Sequence, residues 1–397
     1  MLMDKKVQLS RVYLAAIVLL VLLVGFVAGT RSKEIYGFVG PLVGVKVESG
    51  TLDDSSLQDL YQTLKTHYNG KLSDEKLLQG AKHGMVAAAG DPYTVYFTPK
   101  EAAEFNKELS GDIGAGIGAE IGVRNGQPTV LRTLDDHPAQ KAGLHAGDTI
   151  IAVNDQSADG WTADDAVKEI RGQEGTTVKI TVMREGQPKE FTITRAAINN
   201  PSVTSELRGD VGIMTISRFD EETVSLVRKE ANDLKAKGMK KMVIDMRGNG
   251  GGYLDAAPGV AGMWLDDKLV VSVKANQGSS EKLMSKGDAV LKGVPTAVVV
   301  NGGSASATEI VTAALKHYKV ATVVGEKTYG KGTVQELIPL AGDSMLKVTI
   351  KRWYTPSGGN ITGKGIKPNV EVGLKQADLD GGHDPQLEEA IKIVNTQ

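Results

Sequence analysis

Two glycine-flanked segments carry the side chains best suited to covalent chemistry. Asn301-Gly-Gly-Ser-Ala-Ser-Ala-Thr-Glu309 offers hydroxyls at Ser304 and Ser306, and Gly325-Glu-Lys-Thr-Tyr-Gly-Lys-Gly-Thr-Val-Gln335 offers an amine at Lys331. The chain has six histidines, none in a segment built for chemistry, so a hydroxyl nucleophile would need another base. A lysine held uncharged can serve. The pairing points toward a Ser/Lys hydrolase. It requires the lysine pKa to fall by roughly three units from about 10.4, which burial can supply.

The surrounding elements suit that chemistry, but each segment also has a plain structural reading. An apolar strand over 296–300 runs through a tight turn into a helix, whose first N–H groups could stabilise an oxyanion. Ser306-Ala-Thr-Glu309 equally forms a capping box, and Ser304 competes as the nucleophile. Lys331 follows a strand over 322–324 and could be a solvated surface charge. Asp245-Met-Arg-Gly-Asn-Gly-Gly-Gly252 ends another buried strand, where a glycine run can approach a ligand or simply turn the chain. Two near-matches fail. Gly325-x-x-x-x-Gly-Lys331 lacks the Ser or Thr of a phosphate loop, since Gly332 stands there and a strand follows. Gly114-x-Gly-x-x-Ala119 leads into a strand and not the helix of a dinucleotide site.

Hydrophobic residues at 41% and charged residues at 24% describe a folded chain, and a net charge of -2 gives no reason to expect nucleic acid as a partner. Without cysteine there are no disulfides and no thiolate metal sites. Val12–Gly29 is an uncharged apolar run about as long as the shortest membrane span, preceded by Lys5, Lys6 and Arg11. The expectation is a single-pass anchor in the cell membrane with the catalytic part extracytoplasmic. The rival, a cleaved signal peptide, has a poor cleavage site in Phe26-Val-Ala-Gly29.

Periodicity divides the remainder. Leu57, Leu60, Tyr61 and Leu64, then Leu77, Leu78, Ala81, Met85 and Val86, recur at helical spacing. Asp91-Pro-Tyr-Thr94 reads as a turn and Thr98-Pro-Lys-Glu101 as a helix start. From Gly111, short strands at 129–131, 149–153, 177–183 and 190–194 surround a helix at 162–170, and Asn199-Asn-Pro-Ser202 is the exit linker. Beyond 203, buried-type strands at 211–216, 241–245, 269–273, 296–300 and 322–324 alternate with helices at 222–237 and 308–316. Residues 344–354 read as a later strand of the same sheet, and 384–394 as an amphipathic tail helix.

Pro138-Ala-x-x-Ala-Gly-Leu-x-x-Gly-Asp148-x-Ile-x-x-Val-Asn154 resembles the PDZ signature. That resemblance makes Ile117, Gly118 and Ala119 a peptide-binding loop for a terminal carboxylate, with the peptide adding a strand to the sheet edge. The whole order of segments resembles the carboxyl-terminal processing proteases, Ser/Lys peptidases with an embedded PDZ domain. Asp91–Tyr96, Asp245–Gly252, Asn301–Glu309, Gly330–Gln335, Tyr354-Thr-Pro-Ser-Gly358 and Gly363-Lys-Gly-Ile-Lys-Pro368 carry it. The resemblance implies Ser306 as nucleophile, Lys331 as general base and Gln335 as the group orienting the lysine. It implies an oxyanion hole from Ala307 with Gly251 or Gly252, and Arg171 as a regulatory link between PDZ domain and core, against a surface ion pair.

The fold class implied is multidomain α/β. Residues 1–35 would be tail and membrane helix, 36–110 a linker and small helical region, 111–198 the PDZ domain and 199–397 the α/β peptidase core with its C-terminal helix. Such a protein would cleave unfolded or C-terminally exposed substrate proteins with no cofactor and no metal, and self-association into a homo-oligomer is left open. The alternative is a catalytically silent PDZ adaptor.

Overall fold

The computed structural model describes residues 55–396 apart from 112–113, 125, 135, 199, 276–277, 279, 376–377 and 379–382. The membrane span expected at Val12–Gly29 lies outside these residues. Among the described residues no helix is long and apolar enough to cross a membrane. The chain forms two compact units, Met1–Leu77 and Leu78–Gln397. The described part of the first is helix α1 (Ser55–His67) and the start of α2 (Asp74–Ala87), tied by a Lys65–Asp74 ion pair of 2.8 Å.

In the second unit, strand β1 (Val95–Phe97) leads into α3 (Pro99–Ser110). The start of α3 follows from its sequence: Thr98 accepts the Glu101 N–H, the Glu101 carboxylate accepts the Thr98 N–H, and Pro99 fills the first turn. Gly111 ends it in the left-handed conformation.

A β-rich module follows. Its strands are β2 (Ala115–Gly116), β3 (Ala119–Arg124), β4 (Gln127–Thr133), β5 (Thr149–Val153), β6 (Gln156–Ser157), β7 (Thr177–Arg184), β8 (Gln187–Thr194) and β9 (Ala196–Ala197), with helices α4 (Pro138–Ala142) and α5 (Ala163–Ile170). The antiparallel sheet runs β3-β4-β5-β7-β8, so β3 is an edge strand, while β2 and β9 pair with each other. Val130, Ile150, Val178, Ile180 and Ile193 fill its core. Asp148, from the Gly-Asp step of the PDZ-like signature, is buried and bonded to Arg184 at 2.6 Å.

The remainder builds a six-stranded sheet in the order β10-β11-β12-β15-β16-β19. Here β10 is Val203–Arg208, β11 Val211–Ile216, β12 Lys241–Asp245, β15 Thr296–Val300, β16 Thr322–Gly325 and β19 Val370–Glu371. Only the β10–β11 pair is antiparallel. Both faces are covered, which is why the central strands read as unbroken apolar runs. Met214, Met242, Val298 and Val300 face helices α6 (Thr223–Ala236), α7 (Ala256–Ala261) and α8 (Ala307–His317). Ile213, Val243, Ala297 and Val299 face helix α9 (Pro385–Thr396).

One expectation is corrected. The runs at 269–273 and 344–354 do not join this sheet. As β13 (Leu269–Lys274) and β18 (Met345–Tyr354) they form a second, antiparallel sheet with β14 (Ser280–Met284), β17 (Thr333–Pro339) and β1. A short buried run such as Val270-Val271 looks the same in either sheet, and only its partners distinguish them. The small helical region also contributes a strand, since Val95 pairs with Lys347 across β1 and β18.

Helix α9 is clamped to the end of β12. Arg247 donates to Asp245 at 2.6 Å, to Asp384 at 2.7 Å and to Gln386 at 3.1 Å. Burial works against ionisation of Asp384, yet the Arg247 hydrogen bonds hold its pKa below the usual value. We expect Arg247→Met to lower stability by about 2–3 kcal/mol in urea unfolding at neutral pH. Because the Asp384 pKa is depressed in the folded state, this difference is full above the ordinary carboxyl value. It narrows as pH falls through the lowered one.

Candidate active site

Three adjacent parallel strands deliver three loops to one edge. β12, β15 and β16 neighbour one another, and the loops at 246–252, 301–306 and 326–332 all leave their C-terminal ends, where open α/β sheets hold ligands. The β17–β18 hairpin and α3 complete a cleft of ≈ 700 Å³ lined by Ser306, Lys331, Gln335, Gly251 and Gly252, with Leu109, Ile310, Leu337 and Trp353 as its apolar wall.

The two serines of the β15 loop have separate fates. Ser304 is fully buried; its hydroxyl donates to the Met246 carbonyl at 2.8 Å and accepts the Asn301 N–H at 3.0 Å, stitching the β15 loop to the β12 loop. Ser306 lines the cleft at the tip of α8 with φ 55° and ψ −119°. A non-glycine residue held there stores about 1–3 kcal/mol of strain. A sharp strand–turn–helix of this kind presents a serine Oγ at its apex.

Glu309, one turn into α8, is the fastening between nucleophile and amine segments. Fully buried, its carboxyl group accepts the Ser306 N–H at 3.0 Å, the Thr328 hydroxyl at 2.6 Å, the Gly330 N–H at 2.7 Å and the Lys331 N–H at 2.9 Å. Trp353 adds a donor to the Lys331 carbonyl at 2.8 Å. The backbones on both sides of the cleft are thus fixed by one side chain. The Lys331 ammonium lies 5.3 Å from the centre of the Tyr93 ring, and among the described residues no carboxylate is within ion-pair distance of it. Burial, then the charge of Lys347, pushes its pKa below the ordinary lysine value, against the opposing pull of Asp91 and Glu309. Burial and Tyr329 push Tyr93 up to about 12.

Asn249 organises the glycine run. Its side chain donates to the Ile216 carbonyl at 2.7 Å and accepts the Gly251 N–H at 2.9 Å; its carbonyl accepts from Ala305 N–H and the Thr308 hydroxyl, both at 2.9 Å. Gly251 has φ 99°, and a Cβ there would lie 2.7 Å from Ser306 Cβ and 2.9 Å from Ala307 N. Only glycine lets this loop touch the helix tip. With the Gly251 N–H engaged, Gly252 is the other candidate donor. Phe219 bonds the Gly251 carbonyl and the Tyr253 N–H, which in a parallel bridge turns the Gly252 N–H to the opposite side. Ala307 opens α8, so its N–H has no partner within the helix.

Gln335 lines the cleft with its side chain bonded away from Lys331. Its amide donates to Thr333 at 2.8 Å and Thr349 at 3.2 Å, and among the described residues no hydrogen bond joins it to Lys331. A register shift between Val334 and Gln335 turns it toward these threonines. In the β-rich module, Ile117, Gly118, Ala119 and Arg171 line a groove of ≈ 400 Å³ together with Val167 and Ile170 of α5. The Ile117 and Gly118 carbonyls are held by Ala139 and Leu134 N–H groups. Arg171 is exposed and forms no ion pair among the described residues. Among the described residues no three His, Asp or Glu side chains gather to hold a metal ion.

Sequence reasoning missed Glu309 and Asn249 as site residues, although both stood inside quoted segments. The capping-box pattern named Glu309 for its contact with Ser306, yet its three bonds across to 328–331 come from another strand's loop. We expect Glu309→Gln to cost about 2–4 kcal/mol, since an amide nitrogen cannot accept the donors that now meet a carboxyl oxygen. Acylation of Ser306 by an active-site reagent should fall in parallel, read by mass spectrometry of the labelled peptide.

Residues 210–372 match peptidase family S41, residues 104–183 the PDZ domain, and residues 46–101 the activating protease CtpB N-terminal domain. A protein of Staphylococcus haemolyticus (strain JCSC1435), described as a probable CtpA-like serine protease, is 36% identical over 363 residues, covering 90% of this chain and 73% of the relative. A relative of the same description from Staphylococcus epidermidis (strain ATCC 35984) is 38% identical over 318 residues; the match covers 80% of this chain and 65% of the relative, just under two thirds of its length. The fold is shared with an S41-type protein from Bacteroides fragilis NCTC 9343, at a TM-score of 0.59 and 16% identity over 88% of this chain and 99% of that one. The chain therefore belongs to peptidase family S41, among the PDZ-containing C-terminal processing proteases of CtpA-like type.

Proposed function

We propose that the protein is a serine endopeptidase that recognises substrate C-termini through its PDZ groove and cleaves peptide bonds with a Ser306–Lys331 pair. The observation that carries this reading is the shared fastening: Glu309 holds the N–H of Ser306 and the N–H of Lys331, while both residues line one cleft. Lys331 as free amine takes the Ser306 proton while Oγ adds to the substrate carbonyl. The oxyanion is met by the N–H of Ala307 and that of Gly252. The Lys331 ammonium then returns its proton to the leaving amine, leaving an acyl-enzyme. Water, deprotonated by Lys331, adds to the acyl carbon and frees Ser306. Gln335 would join the amine only after leaving its threonine partners.

The PDZ groove lies beside β3, an edge strand able to accept a peptide strand, with the 117–119 loop at its end. A substrate held there by its terminal carboxylate would present upstream residues to the cleft. With Val12–Gly29 as an anchor, the substrates would be proteins on the extracytoplasmic side of the membrane.

Cleavage of an unfolded protein should disappear in Ser306→Ala and in Lys331→Met. In the wild type kcat should rise with pH as Lys331 loses its proton, with a midpoint below 10.5. Equal cleavage by Ser306→Ala would refute the assignment. Tight peptide binding without turnover would establish the adaptor instead. Separately, a peptide substrate with a C-terminal amide should lose about tenfold or more in kcat/KM against its free acid, with the loss in KM.

A further inference from the structure

A second lysine stands in the cleft with no role in the steps above. Lys347 lies on β18, opposite Val95 of β1 and Leu337 of β17, two residues before Thr349, whose hydroxyl meets Gln335. Phe97 and Phe105 stack with ring centres 5.0 Å apart, and the Lys347 ammonium sits 5.3 Å from one ring centre and 5.0 Å from the other. Among the described residues no carboxylate pairs with it. A partly buried ammonium with no counter-charge costs stability, and aromatic faces offset part of that cost by favouring its charged form.

We propose that Lys347 is a positioning residue for the reaction: its charge, seated on the Phe97–Phe105 pair, adds to burial in favouring the uncharged amine at Lys331. The inference rests on the Ser306–Lys331 reading. Two like charges in one partly dry cleft are not both held, and the proton stays where the surroundings favour it. Lys347 meets two aromatic faces and Lys331 one. The other groups around Lys331 are already committed. Asp91 accepts from Tyr93 N–H and the Thr94 hydroxyl, and Glu309 holds its four donors. Among the described residues, Arg218 pairs with Asp220, and Glu108 and the Tyr93 and Tyr329 hydroxyls are the other charged or titratable groups nearby. Burial and the charge of Lys347 both lower the pKa of Lys331, while burial also works against the charge on Lys347, which the two aromatic faces offset.

The test compares Lys347→Met and Lys347→Arg in the full chain by two readouts. The first is hydrolysis against pH. Removing the charge should move the rising limb up by about one pH unit, so rates on its acid side fall about tenfold and recover at high pH. Lys347→Arg should keep the wild-type profile. The second is the pH dependence of amine acetylation at Lys331, followed by peptide mass spectrometry in a Ser306→Ala background, where the half-labelling pH should rise by the same amount. A uniform loss with an unmoved limb, an unmoved labelling midpoint, or an Arg variant that behaves like the Met variant would overturn the proposal. Labelling needs no turnover, so it decides the Lys347 question even if Ser306→Ala still hydrolyses substrate and the pair itself is refuted.

Discussion

One buried carboxyl group holds the functional half of this protein together. Glu309 leaves a single helix and collects donors from its own N-terminus and from the loop after β16. Removing a donor from it would leave a buried polar group unpaired, and removing the acceptor would strand four, so the two segments are locked by cost as much as by attraction. The strained backbone of Ser306 keeps its N–H paired, since Glu309 accepts it at 3.0 Å with φ at 55°. Thr328 extends the lock by accepting the Ile366 N–H, which brings in the loop ahead of β19.

The sheet explains why so few residues suffice. β12, β15 and β16 are parallel neighbours, so their C-terminal ends lie side by side, and the glycine run, the serine tip and the lysine loop arrive together without further machinery. Asn249 performs for the first two loops what Glu309 performs for the last two. Ser304 adds a third tie, its hydroxyl spent on the Met246 carbonyl. The antiparallel sheet then supplies the cleft wall, with Trp353 and Leu337 as its apolar surface.

Much of this was legible in the sequence where the signal is local. The strands of the parallel sheet showed as unbroken apolar runs because both faces are covered, and α3 announced its start through Thr98, Pro99 and Glu101. The segments around Ser306 and Lys331 were recognisable as chemical. What was not legible depends on partners distant in the chain. The runs at 269–273 and 344–354 gave no sign of a second sheet, and Glu309 looked like an ordinary helix cap. Gln335 faces two threonines because of a register shift that composition does not record. Lys347 looked like any strand lysine until Phe97 and Phe105 were brought beneath it.

The pairing of β1 with β18 has an effect on the order of assembly. Val95 precedes the β-rich module and Lys347 follows nearly the whole parallel sheet, yet they are neighbours. During synthesis the module's sheet can form as it emerges, because its strands pair only with one another. The ribosome must deliver the chain through β18 before the wall carrying Phe97 and Phe105 has its partner strand. Such non-local pairing is slow to form. A product truncated before β18 thus contains the Ser306 and Lys331 loops without the wall that encloses the cleft.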